Sequence, residues 1–523
     1  MRKKILALSI ASMVGGLGFV GAANAVVANG VAVATTATVL ETSRDGIGHI
    51  LLVPYFTAQG DNATLINLVN TDTVNGKAVK VRFRGAANSD DIFDFQIYMS
   101  PGDVWTGNVS RNATSGLATL TTPDNSCTLP MSVRNNGAGG AGTPFVTSRL
   151  NSALSGDALA NGTREGYVEI FNMADIPVDA AATSLYTSIK HNSSGVAPCT
   201  GTIFLETLKL DPADAAAAEA LGFRAPSTGL FANWTIINLT EAAAYSGAAD
   251  AIVGRLVAGG APGTGKIVFS PQMPTTVTPA FLEVRTADPL LAGGQLAGAF
   301  YDLPDLSTPY TVGGAVTIAG AAAQADAVSD ALAVNSVVNE YFTNPAVGGG
   351  TDWVVSSPSR RYAVALNYAA DPQVAVYNAL NAAHYAAGNT SVVQGRICVS
   401  GITPSYYDQS ERPNLGEDYV VSPGTPTVLR FCGETSVLSI NGTGTMSSVL
   451  QSAIAPATGA TASTGLNFGL AYSDGWMRLA TPGATGVGLP IIGAAFSKAR
   501  SGAAAAGTAA NFGANVGHRY TRP

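Results

Sequence analysis

The densest acidic stretch of the chain is Ser89-Asp90-Asp91-Ile92-Phe93-Asp94. Hard cations such as calcium want several oxygens from one loop, which makes Asp90, Asp91 and Asp94 the candidate metal ligands. The residues lack the order and the glycine of an EF-hand, and a solvated turn is the competing reading. Gly260-Ala261-Pro262-Gly263-Thr264-Gly265-Lys266 matches the first part of a phosphate-binding loop. Ile267 stands where a Ser or Thr would hold magnesium, and Ile267-Val268-Phe269 reads as a strand rather than the start of a helix. A glycine-rich turn is expected there. No Gly-x-Ser-x-Gly nucleophile elbow occurs, and the only histidines are His49, His191, His384 and His518. General bases are therefore scarce, and no pair of carboxylates can be singled out as a glycosidase couple. No catalytic residue and no cofactor is nominated, and calcium is the one ion kept as a candidate. Trp105, Trp234, Trp353 and Trp476 are spread along apolar stretches and are expected to anchor cores.

The elements around these residues belong to an unusually neutral chain. Of 523 residues, 46% are hydrophobic and only 12% charged, about half the ~25% charge of an ordinary soluble domain. The formal charge of −7, with no basic patch, excludes a nucleic-acid binder. The apolar content excludes wholesale disorder. No second long apolar run follows the N-terminus, which excludes a multi-span helical membrane protein. Few aromatics and several helix candidates argue against an outer-membrane barrel.

Arg2, Lys3 and Lys4, the apolar stretch Ile5 to Val20, and Ala23-Asn24-Ala25 form a secretory signal peptide, with cleavage expected after Ala25. The mature chain then carries 25 basic against 35 acidic residues, a net of −10. Export predicts oxidised cysteines. Cys127, Cys199, Cys398 and Cys432 allow three pairings. Proximity in sequence favours Cys127–Cys199 and Cys398–Cys432, each stabilising by roughly 3–4 kcal/mol in the loop-entropy picture. Zinc is disfavoured, since no Cys-x-x-Cys spacing or paired histidines occur.

Residues 26–46 read as a flexible lead-in, and 47–245 as an N-terminal β-sandwich region. Its strand candidates include Gly48 to Phe56, Ala63 to Asn70, Lys77 to Arg84, and the alternation through Phe93, Phe95, Ile97 and Met99. Asn75-Gly76 predicts a tight hairpin. Lys77-Ala78-Val79-Lys80-Val81-Arg82-Phe83-Arg84 alternates charge with apolar side chains and predicts a half-solvated strand. Residues 246–350 read as a mixed insertion with an amphipathic helix over Ala325 to Phe342. Asp211-Pro212 predicts the start of another helix. Residues 351–498 form a C-terminal β region, and 499–523 a Gly/Ala-rich tail. The expected fold is mainly β, built from antiparallel sandwich domains with helical insertions in the middle.

Several blocks resemble a known group. Ile-Gly-His-Ile-Leu-Leu-Val-Pro-Tyr-Phe from Ile47, Leu-Ile-Asn-Leu-Val-Asn-Thr from Leu65, Val-Arg-Phe-Arg-Gly from Val81, and Ser-Pro-Gly-Asp-Val-Trp from Ser100 are similar to the N-terminal part of exported surface-layer-type proteins of β-proteobacteria. That group includes the vesicle-sheathing proteins of tubular nanopods. Thr351-Asp352-Trp353-Val354-Val355, Arg360-Arg361-Tyr362, Tyr407-Asp408-Gln409, Cys432 and Gly475-Trp476-Met477 follow in the same order. Gly433 stands where members often carry an aromatic. The resemblance implies a structural lattice role with no catalytic residues to carry over. The expected partners are other copies of the chain and the outer-membrane surface or a polysaccharide, in a Gram-negative envelope or outside the cell. A secreted adhesion or carbohydrate-binding module is the alternative, and a secreted hydrolase a more distant one.

Overall fold

The computed structural model describes residues 26–27, 36–137, 142–147, 150–151, 153–200, 215–265, 268–269, 318–368, 370–377, 382–414, 429–442, 446–453, 465–466, 472–501 and 510–523. The segment read as a signal peptide and Asp211-Pro212 lie outside them, as does nearly half of the 246–350 insertion. Strands make up 50% and helices 9% of the described residues, so the fold is mainly β as composition and alternation predict. Four open sheets carry it, and nearly every pairing is antiparallel.

Sheet A has the order Val39–Thr42, Asp250–Arg255, Ile50–Thr57, Glu165–Ile176, Gly76–Gly85, Asp91–Met99, Cys127–Leu129. Sheet B runs Thr143–Pro144, Ala118–Thr121, Val104–Arg111, Asn62–Asn70, Leu230–Asn238, Ala243–Ala248. Their facing apolar side chains form one core, with Val81, Phe83, Phe95 and Ile170 from sheet A meeting Ile66, Trp105, Trp234 and Ile236 from sheet B. Two sequence expectations change here. Part of the lead-in is a strand, since Val39–Thr42 pairs with Asp250–Arg255. Asn75-Gly76 closes no hairpin, because Asn62–Asn70 and Gly76–Gly85 belong to different sheets. Asp72 organises that crossover instead, its Oδ1 accepting from the amides of Val74 and Asn75.

Sheet C runs Gly465–Leu466, Thr435–Ile440, Gly350–Ser356, Ile492–Ser501, Ala510–Gly517. Sheet D is built on Arg396–Asp408, Asp474–Ala480, Ser336–Phe342 and Arg519–Thr521, with Thr390–Val393, Pro413–Asn414 and Leu429–Cys432 added to its long strand. Alternation along sheet C gives it two buried faces. Trp353, Val355, Leu438 and Ala495 pack toward sheet D. Val354, Val437, Ala494 and Phe496 join the core of sheets A and B. Phe496 touches Tyr55, Trp234 and Tyr245 at ring-centroid distances of 6.5, 5.7 and 5.6 Å. The 47–245 and 351–498 regions therefore share a core. The Gly/Ala-rich tail adds an outer strand to sheet C and another to sheet D.

The helix expected over Ala325 to Phe342 spans Ile318–Leu332, and Ser336–Phe342 is a strand. The β-branched Val337 and Val338 and the aromatic Tyr341 and Phe342 favour a pleated surface with alternate burial. Within the region read as β, a helical turn, Arg360–Ala363, precedes the strand Val364–Asn367.

The largest correction concerns Gly76–Gly85. Every residue of this strand is buried, including Lys77, Lys80, Arg82 and Arg84. One face, with Lys77 at its end, meets sheet B, and the opposite face carries Lys80, Arg82 and Arg84. Lys77 Nζ lies 2.9 Å from Asp175, Lys80 Nζ 2.5 Å from Asp94, and Arg84 Nε 3.1 Å from Glu169. Arg361, from the C-terminal half, reaches the same Glu169 at 3.1 Å. Beside it Arg360 pairs with the buried Glu434 at 2.5 Å.

Removing the charge of Glu169 leaves Arg84 and Arg361 facing each other in the interior. Glu169→Gln is expected to cost about 3–5 kcal/mol, measured by urea unfolding. Because the core is shared, the loss appears in one transition of the whole protein rather than in an N-terminal step alone.

Candidate functional site

The acidic stretch chosen as a metal candidate ends the loop between Gly76–Gly85 and Asp91–Met99 of sheet A and opens the second strand. It is neither solvated nor a cluster of free carboxylates. Asp90 and Asp91 are 3% and 5% exposed. Both Asp90 oxygens accept from the Tyr368 hydroxyl at 2.9 Å, and Asp94 is the partner of Lys80. Asn88 Nδ2 donates to the Gly395 carbonyl at 2.9 Å, and the amides of Glu434 and Thr435 both donate to the Ala86 carbonyl. Ser89 Oγ lies 2.5 Å from the Tyr167 hydroxyl. The loop is a plug seated in the C-terminal half. Among the described residues no group of three or more His, Cys, Asp or Glu is placed to hold a metal.

The receiving surface explains Gly433. Its φ is +96°, and a Cβ there would stand 2.5 Å from the Ala86 carbonyl oxygen. An aromatic at this position would expel the plug. The neighbouring disulfide Cys398–Cys432 joins directly paired residues of sheet D, and the second bond is Cys127–Cys199. Both pairings agree with the expectation from sequence proximity. Burial pushes the Glu434 carboxyl above its usual range, while Arg360 and the Arg361 amide pull it back.

A second tie joins the halves through two more buried carboxylates. Asp352 accepts from the amides of Ser448, Val449 and Leu450 at 3.2, 2.9 and 2.8 Å. Glu165 accepts from Tyr55, Gln59, Ser452 and the Ala453 amide at 2.7, 3.0, 2.7 and 3.0 Å. One acid from each half thus fixes the segment 447–453. No sequence pattern pointed to Glu165 or Asp352, since their partners lie far away along the chain.

The remaining chemical candidates resolve locally. In the glycine-rich turn, the amides of Gly260, Gly263 and Gly265 are spent on the carbonyls of Val257, Gly254 and Pro226; Lys266 and Ile267 lie outside the described residues. His191 meets Ser100 Oγ at 2.9 Å and Asp103 at 3.7 Å, both through Nδ1. A hydrolytic triad needs the two partners on opposite ring nitrogens. Trp105, Trp234 and Trp353 are core anchors, but Trp476 is 43% exposed. It stacks on Tyr407 across sheet D at 4.6 Å and 10°. A strand residue pointing away from Met477, on the solvent side, was detectable only from the parity of the strand.

His49 and His518 are buried and neutral. His49 Nδ1 accepts from the Gly254 amide and Nε2 donates to the Gly263 carbonyl. Burial, with Lys77 nearby, pulls its pKa down to about 3, and burial pulls that of His518 down to about 4. Comparison with protein-family models, curated proteins and solved structures returns no match.

Two outcomes follow from this geometry. Asp90→Asn lowers stability by about 1–3 kcal/mol through the Tyr368 contact, and by the same amount in calcium and in chelator; a loss seen only with calcium would make the loop a metal site. A depressed histidine pKa stabilises above its unfolded value near 6.5 and loses that contribution as pH falls. Stability therefore drops from about pH 6.5 toward 3, and His49→Gln flattens that limb in pH-dependent unfolding.

Proposed function

We propose that this chain is an exported structural protein that assembles with copies of itself into a surface layer or a sheath around extracellular vesicles. The observation that carries this reading is where the scarce charge goes. With charged residues at 12%, Lys77, Lys80, Arg82, Arg84, Arg360 and Arg361 are each at most 1% exposed. Their partners Glu169 and Glu434, together with Glu165 and Asp352, are buried as well. The exterior that remains is poorer in charge than composition suggests. Faces of Thr, Ser, Asn, Gly and Ala lose little hydration energy when they meet like faces. Contacts that do not close into a ring repeat into open arrays.

Open sheets supply such contacts at their edges. The outer strand of sheet C, Ala510–Gly517, carries Phe512 at 67% exposure. The two disulfides suit an oxidising compartment outside the cytoplasm. The resemblance of the Ile47–Trp105 and Thr351–Met477 blocks to surface-layer-type proteins supports the same reading. The chain is read as structural rather than catalytic, and calcium as a bridge between copies rather than an internal cofactor.

One observation favours a second reading. The exposed Trp476, stacked on the half-buried Tyr407, is the kind of aromatic surface on which sugar rings stack, which suits a carbohydrate-binding or adhesion module.

Negative-stain microscopy of the concentrated protein, with and without calcium, is expected to show periodic sheets or tubes. Molecules that remain single in sedimentation at every concentration and calcium level overturn the assembly reading. Phe512→Lys is expected to raise the concentration needed for arrays by about tenfold.

A further inference from the structure

A cleft of about 680 Å3 opens where the end of sheet B meets the segment 446–453, within the ~300–1,000 Å3 typical of small-ligand sites. Its walls are set before any ligand arrives. Gln59 and Ala453, on one side, are both held by Glu165. The turn after Arg111 forms the other side, where Asn112 Oδ1 accepts from the amides of Thr114 and Ser115.

Two arginines face this space, Arg111 and Arg164. Arg164 is fixed by its Nε donating to the Gly116 carbonyl at 2.6 Å and by Nη1 donating to Asn161 at 3.3 Å. Its Nη2 makes no hydrogen bond among the described residues. Gly116, at φ +70°, leaves room for it, since a Cβ there would stand 2.8 Å from Nη2. Burial and the Arg111 charge both pull the Arg164 guanidinium below its ordinary value, while Asp157 opposes them. Arg111 is exposed and takes no ion-pair or hydrogen-bond partner among the described residues. This departs from Lys77, Lys80 and Arg84 of sheet A, which meet carboxylates inside the protein.

The geometry points to this cleft as a binding site for a carboxylated sugar unit of an acidic polysaccharide. Arginine forks suit a carboxylate. Asp157 leaves an excess of one positive charge, which matches a single carboxylate and disfavours a doubly charged phosphate. Gln59, Asn161, Thr114 and Ser115 offer the hydrogen-bonding groups that sugar hydroxyls need. Among the described residues no aromatic ring lines the cleft, so a flat base finds no stacking partner there. As an anchor to surface polysaccharide, the site rests on the surface-layer reading; as a binding site it stands apart from assembly.

The test titrates the full mature chain, kept dispersed, with a galacturonate trimer, its methyl ester and inorganic phosphate by calorimetry. Binding is expected for the acid, with at least ~10-fold weaker binding for the ester. Arg111→Gln, at an exposed side chain, is expected to weaken the acid ~10-fold. Asp157→Asn is expected to strengthen the acid severalfold and to admit phosphate. Equal binding of acid and ester, indifference to Arg111→Gln, or no binding of the acid at ~20 mM overturns the site. Microscopy of Arg111→Gln separates the two readings. Arrays with binding lost leave assembly intact, and binding by a wild-type chain that never forms arrays leaves the site intact while the surface-layer reading fails.

Discussion

The fold depends on one arrangement, a carboxylate held between two arginines that come from opposite halves of the chain. Glu169 lies 3.1 Å from both Arg84 and Arg361, and all three are essentially buried. A charge in such a place is costly unless its partners are fixed. Everything near it serves that fixation. The plug at 86–90 enters the C-terminal half, Gly433 makes room for it, and the disulfide beside Gly433 steadies the receiving strand. Glu165 and Asp352 repeat the device with a loop. The shared apolar layer around Phe496 supplies bulk cohesion, whereas the ionic contacts set which surfaces meet and in what register.

The fold class and most strand positions were legible in the sequence. Thr435–Ile440 and Asp91–Met99 alternate or run apolar just as buried strands should, and turn residues bound them. What alternation does not encode is the environment of its polar face. Lys77 to Arg84 has the pattern of a strand wet on one side, and the same pattern serves a strand whose charges meet acids from elsewhere in the chain. Asp90 and Asp94 resembled ligands for the same reason: their true partners, Tyr368 and Lys80, are set by tertiary structure. Asn75-Gly76 shows the limit of local turn signals, since the chain there changes sheet. The helix expected from Ala325 to Phe342 overlaps the true one only over 325–332, since it starts at Ile318 and ends at Leu332, and Val337, Val338 and Tyr341 fit either period until packing chose.

The cleft was not legible at all. Arg111 ends one strand and Arg164 precedes another, with more than fifty residues of unrelated chain between them. Only the turn that seats Arg164 against Gly116 brings their charges into one space. Trp476 was legible in position but not in orientation, for one step along a strand exchanges core for solvent.

The ion triplet also has a consequence for synthesis. Arg361 leaves the ribosome 192 residues after Glu169, and Phe496 later still. Until then sheets A and B lack their third layer, and the segment that Glu165 must grip does not exist. A nascent N-terminal half is thus held short of its finished shape until the C-terminal half has been made.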